Sequence, residues 1–193
     1  MVHFVHIHLP IPWKANSPRR TAHQQGDPAT TLTIEVFASD EHRLGLKPFS
    51  RRCWAPRGAR PVALGHHRFE WLYVTAFVSP RSGETFWYLS NGVSKAFFEE
   101  LLALFAREAG AGDERFIILV IDGAGWHSEP GLAVPDGLRL VYLPPYSPQL
   151  QPAECLWSVL DEPIANKYFE TIEELDAVVA ERCLTLDACP DLF

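Results

Sequence analysis

Apolar positions along this chain fall into short blocks whose spacing predicts both strands and helices. Leu32-Thr33-Ile34-Glu35-Val36-Phe37-Ala38 reads as a strand over about 32–39. A second strand is predicted near Ser50–Ala55, with Pro56-Arg57-Gly58 as its turn. Glu70–Val78, rich in aromatic and β-branched residues, reads as a third, and Ser79-Pro80-Arg81-Ser82-Gly83 turns the chain into a fourth at Glu84–Leu89. Those four make an antiparallel meander. The period then changes: Phe97, Phe98, Leu101, Leu102, Leu104 and Phe105 recur at helical spacing, with Ser94 as N-cap and Gly110 as the stop. Phe116-Ile117-Ile118-Leu119-Val120-Ile121 is a continuous apolar run of the kind found in strands buried on both faces. Leu138–Tyr142 is the last strand. A helix opens near Glu154, ends or kinks at Pro163, and gives way to a final one behind the capping box Thr171-Ile172-Glu173-Glu174, with Ile172, Leu175, Val179 and Cys183 on one face. Strands first, then alternating helix and strand, predict a mixed α/β layer fold without internal repeats.

Residues 1–31 break this regularity. Pro10, Pro12, Pro18 and Pro28 and the polar stretch His23-Gln24-Gln25-Gly26-Asp27 read as a poorly ordered lead-in. His3, His6 and His8 alternate as a metal chelate would, yet belong more simply to that leader. Its start lacks a basic segment and an apolar core, so it is no secretory signal, and no apolar run reaches the roughly 20 residues that span a bilayer. The expected compartment is the cytoplasm. Residues 32–193 are expected to form one domain: at 193 residues, 47% hydrophobic and 12% aromatic, the chain carries one substantial core. Cys53, Cys155, Cys183 and Cys189 show no C-x-x-C pairing and read as scattered buried thiols, not as zinc ligands or disulfides. A net charge of −7 excludes a generic DNA-coating protein. Residues 42–68 are nevertheless basic, through Arg51-Arg52, Arg57, Arg60 and His66-His67-Arg68, and read equally as a confined nucleic-acid surface or an ordinary solvated face.

Candidate chemistry gathers at three acids. Leu143-Pro144-Pro145-Tyr146-Ser147-Pro148-Gln149-Leu150-Gln151-Pro152-Ala153-Glu154 packs four prolines ahead of a carboxylate. Each proline fixes φ and restricts its predecessor, and Pro152 suits the first turn of a helix. A stiff loop thus delivers Glu154 to a fixed point, as a catalytic or metal-binding acid requires; the plainer reading is a solvated acidic first turn favoured by the helix dipole. The apolar run 116–121 ends in Asp122, where Gly123, Ala124 and Gly125 leave room beside the carboxylate. The first strand leads to Asp40-Glu41-His42-Arg43.

These segments resemble the catalytic domain of the DDE transposases, specifically the mariner-like bacterial insertion-sequence group. The matching stretches are Asp40–Leu46, Trp54-Ala55-Pro56-Arg57-Gly58, Val120–His127 and the proline-rich segment through Glu154-Cys155-Leu156-Trp157, which together span about residues 32–184. The resemblance implies a ribonuclease H-like fold, makes Asp40, Asp122 and Glu154 the acidic triad, and implies two Mg²⁺ or Mn²⁺ ions. Successive side chains on a strand face opposite ways, so only one of Asp40 and Glu41 can face the metals; the resemblance selects Asp40. It further implies DNA as partner (transposon inverted repeats and a target) and a homodimer gripping paired ends. No helix-turn-helix pattern precedes the catalytic segment, so the chain reads as the catalytic half alone, in need of a separate N-terminal DNA-binding module. His127, Arg43 and Arg57 are the candidate substrate contacts. His127 reads equally as a structural, hydrogen-bonded histidine, and Trp126 and Trp157 read as packing residues. Gln149 and Gln151 stand where relatives often carry an acid and an asparagine, and Asp161-Glu162-Pro163 where many carry basic residues.

Physical chemistry supports cations at such a triad. Two carboxylates about 5 Å apart repel by roughly 3 kcal/mol at an effective dielectric near 20, and oxygen-only ligands favour Mg²⁺ or Mn²⁺ over zinc. Two ions can activate an attacking oxygen and stabilise the leaving one in phosphoryl displacement. The expected activity is cleavage and joining of DNA strands. The alternatives are an inactive relic that binds DNA or transposase subunits, and another nuclease of the same fold, such as a ribonuclease H or a junction resolvase.

Overall fold

Thirteen consecutive residues, Thr33–Gly45, form one strand that organises the molecule. The structure, a computed structural model, describes residues 4–7, 32–47, 49–62, 64–66, 68–123, 125–127 and 131–189. Its elements are β1 (Phe4–Ile7), β2 (Thr33–Gly45), β3 (Trp71–Val78), β4 (Thr85–Ser90), α1 (Lys95–Glu108), β5 (Arg115–Ile121), β6 (Leu138–Tyr142), α2 (Glu154–Leu160) and α3 (Ile172–Asp187). The strands make one sheet in the order β1-β4-β3-β2-β5-β6. β2 changes partner halfway: Thr33–Ala38 pairs in parallel with Arg115–Val120, and Ala38–Gly45 pairs antiparallel with Trp71–Val78. β4 lies antiparallel to β3 and to β1, and β6 runs parallel to β5.

Helices cover both faces. On one, Phe97, Phe98, Leu101, Leu102 and Phe105 of α1 bury against Phe37, Phe77, Tyr88, Ile117, Leu119 and Ile121. The helical spacing of these aromatic and leucine side chains is what gives α1 its apolar stripe. Ser94 caps it by accepting from the Phe97 amide at 3.2 Å. Gly110, at φ +69°, closes it, and the Ala111 amide returns to the Ala106 carbonyl at 2.8 Å, a Schellman-type stop. On the other face, Leu156, Trp157 and Leu160 of α2 and Leu175, Val179, Cys183 and Leu186 of α3 pack on Ala38, Leu72, Val74, Ala76, Trp87 and Leu89. Thr171 caps α3 through the Glu174 amide, while the Glu174 carboxylate accepts from Glu170, one residue earlier than a capping box requires.

Three expectations need correction. Ser50–Ala55 is not a strand. β2 and β3 pair directly with each other, which leaves no place between them for this segment. Asn166 serves it instead: its side chain accepts from the Arg51 amide and donates to the Arg51 carbonyl, at 2.9 and 3.0 Å. The expected lead-in contains a strand, Phe4–Ile7, at the sheet edge; the rest of 1–31 lies outside the described residues. Finally, only Cys183 is buried among the four cysteines, and all are free thiols. Among the described residues no helix is long and apolar enough to cross a membrane.

Candidate active site

The site is laid out on the stretch Ser39-Asp40-Glu41-His42 of β2, where the strand has left β5 and runs on beside β3. Paired residues of β2 and β5 keep a constant offset of 82, from Thr33 opposite Arg115 to Ala38 opposite Val120. That offset brings Asp122, one step past the end of β5, level with Asp40. Carboxylates at the C-terminal end of a parallel pair, where strand pairing changes hand, occupy the place where open α/β sheets bind ligands.

Glu154 reaches the same place by way of the proline loop. The Leu143 amide donates to the Ile121 carbonyl at 2.9 Å, so the loop starts beside Asp122. A 3-10 turn at Pro148–Leu150 follows. Gln151 then donates its side-chain amide to the Ser39 carbonyl at 2.8 Å, fixing the loop to the residue before Asp40. Pro152 sits in the turn ahead of the N-cap Ala153, and α2 opens on Glu154. Asp40, Asp122 and Glu154 together with Gly123, Gln151 and the Leu143–Pro148 segment line one cleft of about 470 Å³. Tyr146, fully exposed at the cleft wall, holds φ +58°, a conformation that costs a non-glycine residue on the order of 1 kcal/mol and tends to cluster at functional sites.

The pleat separates the neighbours of Asp40 onto two faces. Asp40 accepts from the indole N–H of Trp157 at 2.8 Å. His42 stacks on that indole with ring centroids 5.0 Å apart, and bonds Asp161 at 2.9 Å. Glu41 points the other way and bonds Nε2 of His127 at 2.9 Å, while Nδ1 of His127 bonds Asp122 at 2.8 Å. Burial raises the Asp40 carboxyl from its ordinary 3.8 to about 6; the Trp157 hydrogen bond opposes this, and the Glu154 and Glu41 charges add to it. Burial alone would lower His127, but its hydrogen bonds to Asp122 and Glu41 and their charges outweigh that and raise it from 6.5 to about 9.

The donor set suits a hard divalent cation: three carboxylates on one wall, with Asp40 already disfavoured as an anion by burial and by its acidic neighbours. Among the described residues no three His, Cys, Asp or Glu side chains already stand together as a metal-binding group, so the acids share a cleft without forming a closed cage.

Other expected contacts fall elsewhere. His127 has 1% of its side chain exposed, against 48% for Asp122, so it is a buried partner of Asp122 and not a hand laid on DNA. Arg43 lies over the Trp71 ring, 4.4 Å from its centroid, beside a separate small cleft. Arg57 sits in an exposed turn. Neither arginine lines the carboxylate cleft. Trp126 packs against the α1 face, as expected. Trp157 does more than pack, and sequence offered no signal for its bond to Asp40. Glu41 carried a signal: a strand residue next to Asp40 must face the opposite layer, where it needs a partner.

Comparison with solved structures places this fold among those of the Mos1 transposase. A Mos1 paired-end complex with the left transposon end matches at a TM-score of 0.54 and 14% identity, over 91% of this chain and 64% of that one. A pre-cleavage Mos1 transpososome matches at 0.56 and 14%, over 81% and 56%. A Mos1 paired-end complex with Mn matches at 0.54 and 17%, over 81% and 54%. The fold is ribonuclease H-like, and the chain spans about half to two-thirds of the length of those Mos1 chains. In sequence, an uncharacterized protein of Sinorhizobium fredii, y4pE/y4sA, is 33% identical over 106 residues, 54% of this chain and 77% of that protein. The family model described as DDE superfamily endonuclease matches residues 35–176, from near the start of β2 to the second turn of α3. The chain belongs to the DDE superfamily endonucleases.

Proposed function

We propose that this chain is the catalytic domain of a transposase, cutting DNA strands at transposon ends and joining them to a target. The observation that carries this reading is the shared cleft of Asp40, Asp122 and Glu154, drawn from three separate elements of a chain in the DDE family. The Mos1 complexes it resembles contain a transposon end in one case and Mn in another; we extend both to this chain as substrate and cofactor.

Asp40, Asp122 and Glu154 are the residues that would hold divalent ions in this cleft. Such ions, when bound, supply positive charge for in-line phosphoryl displacement by water or by a DNA 3′-hydroxyl. The protein's own part is orientation. Trp157 fixes one oxygen of Asp40. Gln151 ties the loop bearing Glu154 to the strand bearing Asp40. The basic stretch 42–68 supplies an exposed surface for the phosphate backbone, and a homodimer with a separate helix-turn-helix module would select the ends. The working compartment is the bacterial cytoplasm, at the nucleoid.

The test is cleavage of a labelled inverted-repeat duplex with Mg²⁺ or Mn²⁺, using the chain fused to a DNA-binding module. Nicked product that disappears in Asp122→Ala supports the reading. A folded fusion that binds DNA but yields no product overturns it in favour of a non-catalytic relic, and preferential cutting of an RNA–DNA hybrid would point to a ribonuclease H.

A further inference from the structure

We propose that Glu41 is a positioning residue for Asp122, acting through the imidazole of His127. The inference rests on the reading of Asp122 as a metal ligand and assigns that ligand its support.

Three side chains make a line from the protein interior to the cleft. Glu41 is 8% exposed, His127 1% and Asp122 48%. The ring accepts no freedom of its own. It lies 4.3 Å from the Phe98 ring and 5.8 Å from Trp126, centroid to centroid, and its backbone carbonyl accepts from the Tyr142 hydroxyl at 2.7 Å. Asp122 stands just beyond the last hydrogen-bonded residue of β5, followed by Gly123. His127 holds Oδ1 of Asp122 at 2.8 Å, and Glu41 holds His127 from the opposite ring nitrogen at 2.9 Å.

Stability is a poor reason for this arrangement. Burying an acid and an imidazole between sheet and helix gains little over an apolar pair of the same volume. What the pair supplies is a single orientation of the Asp122 carboxylate on the cleft wall. Hydrogen-bond partners behind a metal ligand typically change metal affinity by about 10–100-fold. Glu41 is thus the neighbour of one acid of the triad in sequence and the support of another in space.

The test is Mn²⁺ binding to the full chain without DNA, followed by loss of the free-ion electron paramagnetic resonance signal. The ring N–H resonances of His127 report the hydrogen bonds in parallel. The variants are Asp122→Asn, Glu41→Met, Glu41→Ala and Glu41→Gln. Wild type should bind, and Asp122→Asn should lose the site. Glu41→Met, volume-matched and unable to accept a hydrogen bond, should bind about 10–100-fold more weakly. Glu41→Gln, whose amide oxygen still accepts from Nε2, should recover most of that loss. Should Met overpack the site, Glu41→Ala makes the same deletion without bulk, and whichever variant folds gives the answer. Wild-type affinity in both deletions, with Asp122→Asn still defective, overturns the positioning role and leaves the metal site standing. No binding by wild type, or equal binding by Asp122→Asn, overturns the metal site and the inference together.

Discussion

The indole N–H of Trp157 donates to Oδ2 of Asp40 at 2.8 Å, joining the helix that opens on Glu154 to the strand that carries the first acid. Trp157→Phe keeps most of the packing and removes the donor. We expect a loss of about 1–3 kcal/mol in stability, because the lost bond is to a partly buried carboxylate. Mn²⁺ affinity should fall more at pH 6 than at pH 8, since Asp40 without its donor holds a proton to higher pH. Thermal unfolding and ion titration at the two pH values check this.

Asp40 is better accommodated by the ion-free fold when it carries no charge. Its folded value, about 6, exceeds the ordinary 3.8. Its contribution to stability is therefore greatest below about pH 4, declines as pH rises to about 6, and is flat above. Asp40→Asn should raise the unfolding midpoint of the metal-free chain at pH 7.5 by several degrees, on the order of 1–2 kcal/mol after allowing for solvent screening. The gain should vanish near pH 4, and Mg²⁺ should stabilise wild type but not the variant. Calorimetry with and without chelator measures each part.

His127 has the opposite sign. Its folded value of about 9 lies above 6.5, so its stabilising contribution is complete below about pH 6.5 and is lost as pH rises through 9. The unfolding midpoint should fall between pH 7 and 9.5, and the fall should be shallower in Asp122→Asn, which removes one of the two charges holding the proton. Nitrogen-15 titration of the ring gives the same quantity directly.

Much of this architecture was legible beforehand. The helical spacing of Phe97–Phe105, the Ser94 cap and the Leu138–Tyr142 strand are dictated by local preferences, and the structure agrees with them. The three acids were singled out through the family resemblance; the structure lines one cleft with them, and puts Asp40 inside β2 where a strand end was expected. The false strand at 50–55 shows where local reading fails: its residues suit a strand, but whether one forms depends on a vacant place in the sheet, which only the assembled sheet determines. Likewise no spacing rule links Glu41 to His127 or Trp157 to Asp40, because those bonds cross between layers that meet only after folding.

Gln151 provides a test of the loop. Gln151→Ala leaves the buried Ser39 carbonyl without its partner, which should cost about 1–3 kcal/mol and weaken Mn²⁺ binding through Glu154. Gln151→Asn is one methylene too short to span the same distance, so it should behave nearly as badly. Urea unfolding of the three chains ranks them.

Gly45 and Trp71 are paired across β2 and β3, so the exposed excursion between them begins and ends at one closed point of the ladder. Arg51 within it donates to the Ser158 carbonyl of α2 at 2.7 Å, so a change in the length or sequence of this segment would be felt by the helix that opens on Glu154.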